Sequence, residues 1–296
     1  MSPVSKLIAW YGKNKRDLPW RKTRDPYRIF VSEIMLQQTQ VDRVIGFYQR
    51  WLKLFPSWRS LAAAKTDALL RAWAGLGYNR RALQLREAAR QVVAHGVPRS
   101  IDAWMTLKGV GPYTAAAVHA IVARERAIVI DTNVRRVAGR IFLGVPYPHL
   151  ADDGRVAQAM DRHLPKTSKY WEFPQILMDF GSAVCTLKNP ACAACPMRHA
   201  CKAAPKFISG SAGEKPRIAS REKIHRGKKY PDRIYRGRIL AAVRDARATR
   251  LDELGYMIDP SFDPKKDGAW VRAMANRLAR DGMIAFRGKK IALVKT

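Results

Sequence analysis

The four cysteines of this 296-residue chain all fall within 17 positions, as C-x6-C-x2-C-x5-C at Cys185, Cys192, Cys195 and Cys201. No other feature restricts the fold as much, because a loop this compact can wrap four thiolates around one metal centre. Disulfide staples in a chain of this length would be spread along it. Zinc ribbons usually carry two C-x2-C knuckles and this loop has one, which favours an iron–sulfur cluster; four reduced structural thiols are the plain alternative. Lys188 and Arg198 lie inside the loop, where they can reach a phosphate or simply face solvent.

Around that loop the sequence reads as helices. From residue 2 to about 204, apolar residues recur at three- and four-residue spacing, as in 67–74, 80–94, 113–124 and 133–143, and few alternating stretches compete. Gly and Pro at Gly75-Leu76-Gly77, Gly96-Val97-Pro98, Gly109-Val110-Gly111-Pro112 and Pro146-Tyr147-Pro148 cut the region into helices of ordinary length. The pattern predicts a mainly α domain over 1–204 that ends in the cysteine loop 185–201. A basic linker, 205–232, follows, rich in Lys, Arg, Gly, Ser and Pro and without a fixed fold of its own. Apolar periodicity resumes over 233–296 as three helical stretches and a two-stranded hairpin, MIAF and IALVK around RGKK, the order of a winged-helix-like α+β module.

Charge narrows the partner. The chain has 55 Lys+Arg against 24 Asp+Glu, a net +31, which asks for a polyanion and for nucleic acid first. Arg272, Arg277, Arg280, Arg287, Lys289 and Lys290 stud the last helix and hairpin of the module, so DNA contact is expected there; a small appendage packed on the main domain is the other reading. No apolar run approaches the roughly 18 residues of a membrane span, and the first residues lack the order of a signal peptide. A soluble, cytoplasmic, nucleoid-associated monomer with no membrane partner is expected.

Three local patterns bear on chemistry. Leu107-Lys108-Gly109-Val110-Gly111 joins two helices through Gly109 and Gly111, a hairpin whose backbone N–H groups can hold a phosphate without reading sequence; glycine as a helix terminator explains either residue alone. Glu33 sits in VSEIMLQQTQV, after an expected N-cap at Ser32, on a helix whose Ile34, Leu36 and Val41 look buried. A first-turn carboxylate favoured by the helix dipole is its bland reading. Asp131 follows Ile128-Val129-Ile130 and precedes the helix NVRRVAGRIF, so it reads as an N-cap.

LPWRKTRDPYRIFVSEIMLQQTQV, GLGYNRRALQL, LKGVGPYTAAAV, IDTNVRRVAGRIF, QILMDFGSAVC and the cysteine loop together resemble the helix-hairpin-helix DNA glycosylases with an iron–sulfur cluster, most closely the MutY-type adenine glycosylases. The resemblance covers about residues 5 to 203. It implies a two-lobed helical fold with a [4Fe-4S] cluster on the four cysteines, acting in base excision repair on double-stranded DNA with a mispair or lesion. One nucleotide is flipped out, since chemistry on a base cannot proceed inside the stack. Cleaving a purine N-glycosidic bond needs an acid for the base and an anion beside the cationic sugar. The resemblance gives the first role to Glu33 and the second to Asp131, supported by Asn133. Tyr113 stands where strand-cutting relatives carry a lysine, and a phenol cannot form a Schiff base, so a monofunctional enzyme without lyase activity is implied. Trp20, Arg21 and Gln175 would line the base pocket, and Gln37 and Gln38 would fill the gap left by the flipped nucleotide.

Two departures stand out. MutY proteins usually carry a C-terminal domain that inspects 8-oxoguanine, and here the linker and the winged-helix-like module stand in its place. Pro174 occupies a position where the family tends to Asn. Adenine removal from mispairs with guanine or 8-oxoguanine is the expected activity. Thymine or uracil removal from mispairs, and a non-catalytic iron–sulfur DNA-binding regulator, are the alternatives.

Overall fold

A computed structural model describes residues 2–163, 170–214, 224–246 and 248–295. Its helices, in chain order, are α1 (Pro3–Asn14), α2 (Pro26–Leu36), α3 (Val41–Leu54), α4 (Trp58–Ala62), α5 (Thr66–Trp73), α6 (Arg80–His95), α7 (Ile101–Met105), α8 (Pro112–Ala123), α9 (Thr132–Ala138), α10 (Asp153–His163), α11 (Phe173–Ala183) and α12 (Ala204–Ile208). Beyond them come α13 (Asp232–Asp245), β1 (Thr249–Arg250), α14 (Leu251–Ile258), α15 (Pro264–Arg280), β2 (Ile284–Arg287) and β3 (Lys290–Leu293). The Gly and Pro punctuation falls between helices, except that Pro112 is the first residue of α8. No helix among the described residues is long and apolar enough to cross a membrane.

The chain divides into two compact units, one of Met1–Ile29, Pro98–Thr106 and Val110–Ile218, the other of Phe30–Val97, Leu107–Gly109 and Ala219–Thr296. In the first, α1, α9, α10 and α11 meet on Leu7, Val137, Met160, Leu177 and Phe180. Each such side chain contributes about 1.5–3 kcal/mol by leaving water. Met197 of the cysteine loop is 1% exposed and belongs to the same core, so the loop is anchored to the helices by packing. Helix α9 runs on into a π turn, Gly139–Leu143. A π turn leaves carbonyls without their usual partners, and two of them, on Arg140 and Ile141, accept from the N–H groups of Ala203 and Lys202 just past the last cysteine.

In the second unit, Trp51 and Trp73 pack edge to face at 5.3 Å within α3–α6. The C-terminal elements form a winged helix, with the antiparallel sheet ordered β1-β3-β2 and Phe286 opposite Ile291. The hairpin is legible in the sequence but β1 is not, since its two residues are too few to leave an alternating pattern. The module's core, built on Tyr235, Ile239, Leu254, Trp270 and Ile291, takes in Leu70 of α5, and Leu83 of α6 packs against it. It is therefore one body with α3–α6.

The linker boundaries shift as well. Positions 215–223 of the expected linker lie outside the described residues, but its start contains α12, and its end is built into the module. The Lys228 side chain is 4% exposed and sits between Asp259 at 2.7 Å and Asp267 at 2.5 Å. A buried ammonium must be paired, so the segment around it is fixed structure.

Candidate active site

Asp131 is the N-cap of α9, as its sequence context predicts: Oδ1 accepts from Val134 N at 2.6 Å. Its other oxygen, Oδ2, accepts from Asn133 Nδ2 at 3.0 Å. The Asn133 carbonyl in turn accepts from Arg136 Nη2 at 2.8 Å, and the same guanidinium donates to the backbone oxygens of Gly181 and Cys185, both at 2.8 Å. A half-buried carboxylate is thus fixed at both oxygens, and the chain of donors that fixes it ends on the cysteine loop. Pairing of Asp131 with Asn133 follows from the cap geometry, which puts residue i+2 of the first turn beside the capping side chain.

Glu33 lies elsewhere on its helix than the sequence suggests. Helix α2 begins at Pro26, with Asp25 Oδ1 accepting from Tyr27 N at 2.8 Å, and Ser32 is a buried residue of the helix interior. Val41 belongs to the next helix. Glu33 is thus near the C-terminal end of α2, where the helix dipole disfavours a negative charge. The bland reading of a dipole-stabilised carboxylate therefore falls away. Gln37 and Gln38 follow the helix in a tight turn, with Gln38 exposed at φ +55°.

Of the hairpin glycines, Gly109 is required by conformation and space. Its φ is +81°, and a Cβ there would stand 2.8 Å from Gln84. Gly111 has ordinary φ, caps α8 ahead of Pro112, and leaves room for a side chain. One N–H of the hairpin is already committed, since Lys108 N donates to Gln91 Oε1 at 2.8 Å. Tyr113 is the second residue of α8 and 37% exposed.

Trp20 is buried in a short 3-10 turn, Pro19–Lys22. Arg21 beside it makes a bidentate pair with Asp179, Nη1 to Oδ2 at 2.7 Å and Nη2 to Oδ1 at 2.9 Å. Arg16 joins through Nε at 2.7 Å. Burial pushes the Asp179 carboxyl up, but the hydrogen bonds and charges of Arg21 and Arg16 more than offset this and hold it below the usual carboxylate range. Asp179 lies one turn after Gln175 on α11, so the pair ties the Trp20 segment to the helix that carries Gln175.

All four cysteines line one pocket of about 340 Å³, its open mouth included, together with Arg140, Phe180, Met197 and Phe207. Met197 N approaches Cys195 Sγ at 3.3 Å and Arg140 Nη1 approaches Cys185 Sγ at 3.4 Å, contacts that favour negative charge on sulfur. Burial, together with the neighbouring thiols, pushes Cys195 up to about 11 despite the Met197 N–H. Thiolates at this place need a cationic centre, and the donor set fits one. Among the described residues no three Cys, His, Asp or Glu side chains converge tightly enough for a single ion. Lys188 is exposed at the loop surface.

A family model of HhH-GPD superfamily base excision DNA repair proteins matches residues 31–163. The adenine DNA glycosylase of Mycolicibacterium smegmatis is 36% identical over 98% of this chain and 97% of its own length. This chain belongs to the adenine DNA glycosylase family. The Mycobacterium tuberculosis H37Rv member is 37% identical over 96% of this chain and 93% of its own length. Human adenine DNA glycosylase is 36% identical over only 67% of this chain and 38% of its own. The two mycobacterial relatives thus align along almost the whole chain and the human one over two thirds of it. Among solved structures, a thermostable thymine-DNA glycosylase superposes with TM-score 0.61 at 31% identity, covering 69% of this chain and 95% of that one. A non-covalent endonuclease III–DNA complex superposes with TM-score 0.60 at 22% identity, a likeness of fold.

For this member of the adenine DNA glycosylase family, four arginine- and aspartate-based supports escape the sequence reading: Arg81, Arg136, Arg140 and Asp179. Arg140 is 1% exposed and donates to the carbonyls of Pro146, Thr186 and Leu187. The signal that could have found them is charge placed on apolar helical faces, as at Arg136 and Arg140 in NVRRVAGRIF, which by periodicity points inward.

Proposed function

We propose that the protein removes adenine from mispairs with guanine or 8-oxoguanine in double-stranded DNA by hydrolysis and leaves the strand intact. The observation that carries this reading is its alignment with adenine DNA glycosylases along almost its whole length. Glu33 protonates the departing purine, a role for which helix stability offers no competing explanation. Asp131, held at both oxygens, stands as the anion for the oxocarbenium-like sugar; a fixed charge that need not reorganise is worth more in a transition state than a mobile one. Asn133 holds that carboxylate. Tyr113 supplies no amine, so no Schiff base forms. Trp20 and Gln175 contribute to the base pocket, with Arg21 acting through Asp179 rather than on the base, and Gln37 and Gln38 occupy the gap in the duplex. Gly109, Gly111 and Lys188 serve the phosphates.

Cys185, Cys192, Cys195 and Cys201 would hold a [4Fe-4S] cluster. When bound it would supply a cross-link for the loop, its cationic core offsetting part of the charge of the four thiolates. The C-terminal winged helix adds a second DNA-contacting face: Arg272, Arg277, Arg280, Arg287, Lys289 and Lys290 are all on the module's last helix and hairpin, with Arg287, Lys289 and Lys290 exposed, and such residues supply salt-sensitive phosphate contacts.

Duplexes with a single mispair, treated with the protein and then alkali and resolved on a gel, test the proposal. Strand breaks at adenine opposite guanine or 8-oxoguanine are expected. Breaks at thymine or uracil opposite guanine would establish the second reading, which the 31% identity to a thymine-DNA glycosylase favours. No break at any base would leave a DNA-binding regulator.

A further inference from the structure

Arg81, in the first turn of α6, is 6% exposed, and among the described residues no carboxylate pairs with it. Burial of a guanidinium without a counter-ion is costly. Here it is partly offset by hydrogen bonds from Nη1 and Nη2, while Nε has no partner among the described residues, and burial lowers its pKa to about 10. Nη1 donates to the carbonyls of Ile34 at 2.9 Å, Met35 at 3.1 Å and Gln37. Nη2 donates to Thr39 Oγ1 at 3.1 Å, Gly77 O at 3.1 Å and Leu76 O at 3.4 Å. The cation also lies 5.2 Å from the Trp73 ring and 5.5 Å from the Tyr78 ring.

Those acceptors come from two turns. One ends α2 and carries Gln37 and Gln38; the other, between α5 and α6, carries Tyr78. Among the described residues only three non-glycine residues have positive φ, and two of them are Gln38 at +55° and Tyr78 at +47°, one in each turn. Both are exposed, Tyr78 by 43%. Strained, exposed residues persist only where the surroundings over-determine them. A guanidinium with five donors is the group that can bind two turns at once.

We infer that Arg81 is a positioning residue, which locks the Gln37-Gln38 turn to the Tyr78 turn so that the two present one preformed surface to bases unstacked from the duplex. The inference rests on the DNA-glycosylase reading but concerns unstacking rather than bond cleavage. An aromatic and an amide side chain suit a broken stack, the first by stacking and the second by hydrogen bonding. Preorganisation matters because ordering the turns during binding would subtract from the energy available to extrude a base.

The test uses the full chain and a mispaired duplex with 2-aminopurine beside the mispair, whose fluorescence rises when it unstacks. The wild-type protein at saturation should raise the signal several-fold. Arg81→Lys should still saturate the duplex but produce less than half that rise, and Thr39→Val, which removes one of the acceptors, should fall between the two. Arg86→Lys is the matched control, because Arg86 lies on the same helix and donates to Ala64 O and Thr66 Oγ1 at 3.0 Å, away from both turns. Should Arg81→Lys fail to fold, Thr39→Val decides. A full rise with Arg81→Lys, or with Thr39→Val where that variant decides, would overturn the inference, as would an equal loss with Arg86→Lys or no rise with the wild type. Absence of base release would instead count against the proposed activity, since the fluorescence does not depend on it.

Discussion

Asp131→Asn keeps an oxygen for the Val134 N–H, so it leaves the cap of α9 in place but removes the charge and, with it, the acceptor for Asn133 Nδ2. Asp131→Ala removes the cap as well, which is worth about 1 kcal/mol. Single-turnover excision should fall by about 10²–10³ in the Asn variant with little change in melting temperature, and the Ala variant should melt lower as well. Glu33→Gln should bind the mispair normally and lose at least about a hundredfold in excision rate, because the amide keeps the shape and cannot donate the proton. Asp179 has a different kind of effect. Its carboxyl is held below its unfolded value, so its stabilisation is complete above about pH 4 and is lost as pH falls through the depressed folded value. Asp179→Asn leaves Arg21 half-paired in a buried place and should cost about 3–5 kcal/mol at neutral pH. Thermal melts against pH should then show a shallower acid loss in the variant than in the wild type. At this scale Asp131 was legible because a cap is a local rule. Asp179 was not, because its partners lie more than 150 residues away in the chain.

Helix existence followed from periodicity, and helix ends only where a cap or Gly-Pro signal stood alone. Ser32 is a good capping residue inside a helix that Asp25 and Pro26 had already started, and no sequence rule ranks two such signals. The π turn at Gly139–Leu143 was invisible for a similar reason: the residues are ordinary helix formers, and the turn is stabilised by the loop end that bonds to Arg140 and Ile141. That dependence makes the cysteine loop and α9 one mechanical element. The proposed [4Fe-4S] cluster should give the protein a yellow-brown colour and about four irons per chain, and Cys195→Ala should abolish both. Because Arg136 connects the loop carbonyl of Cys185 to Asn133, excision should fall along with iron in the same preparation. A colourless variant with wild-type excision would show that the loop does not support the site.

Over the whole molecule the net +31 charge is far more than catalysis needs. Its distribution is what makes the C-terminal module a candidate nucleic-acid element, whereas the module's attachment is not legible in the sequence: Arg and Lys on α15 and the hairpin are a surface pattern, but Leu70 and Leu83 reach the module core from helices far earlier in the chain. Deleting the module would also uncover those side chains, so its role is better tested in the full chain. Replacing Arg287, Lys289 and Lys290 by Ala leaves the buried face of β3 untouched, since Ile291, Ala292 and Leu293 provide it. Each phosphate that the hairpin no longer neutralises should reduce the slope of log K against log salt by about 0.9, so a hairpin gripping one phosphate with each of these side chains should flatten it by nearly three units. Affinity for mispaired and fully paired duplexes should weaken by the same factor, and single-turnover excision at saturating protein should be unchanged. If preference among opposite bases collapses while affinity for paired DNA holds, the hairpin reads the mispair itself rather than gripping the backbone.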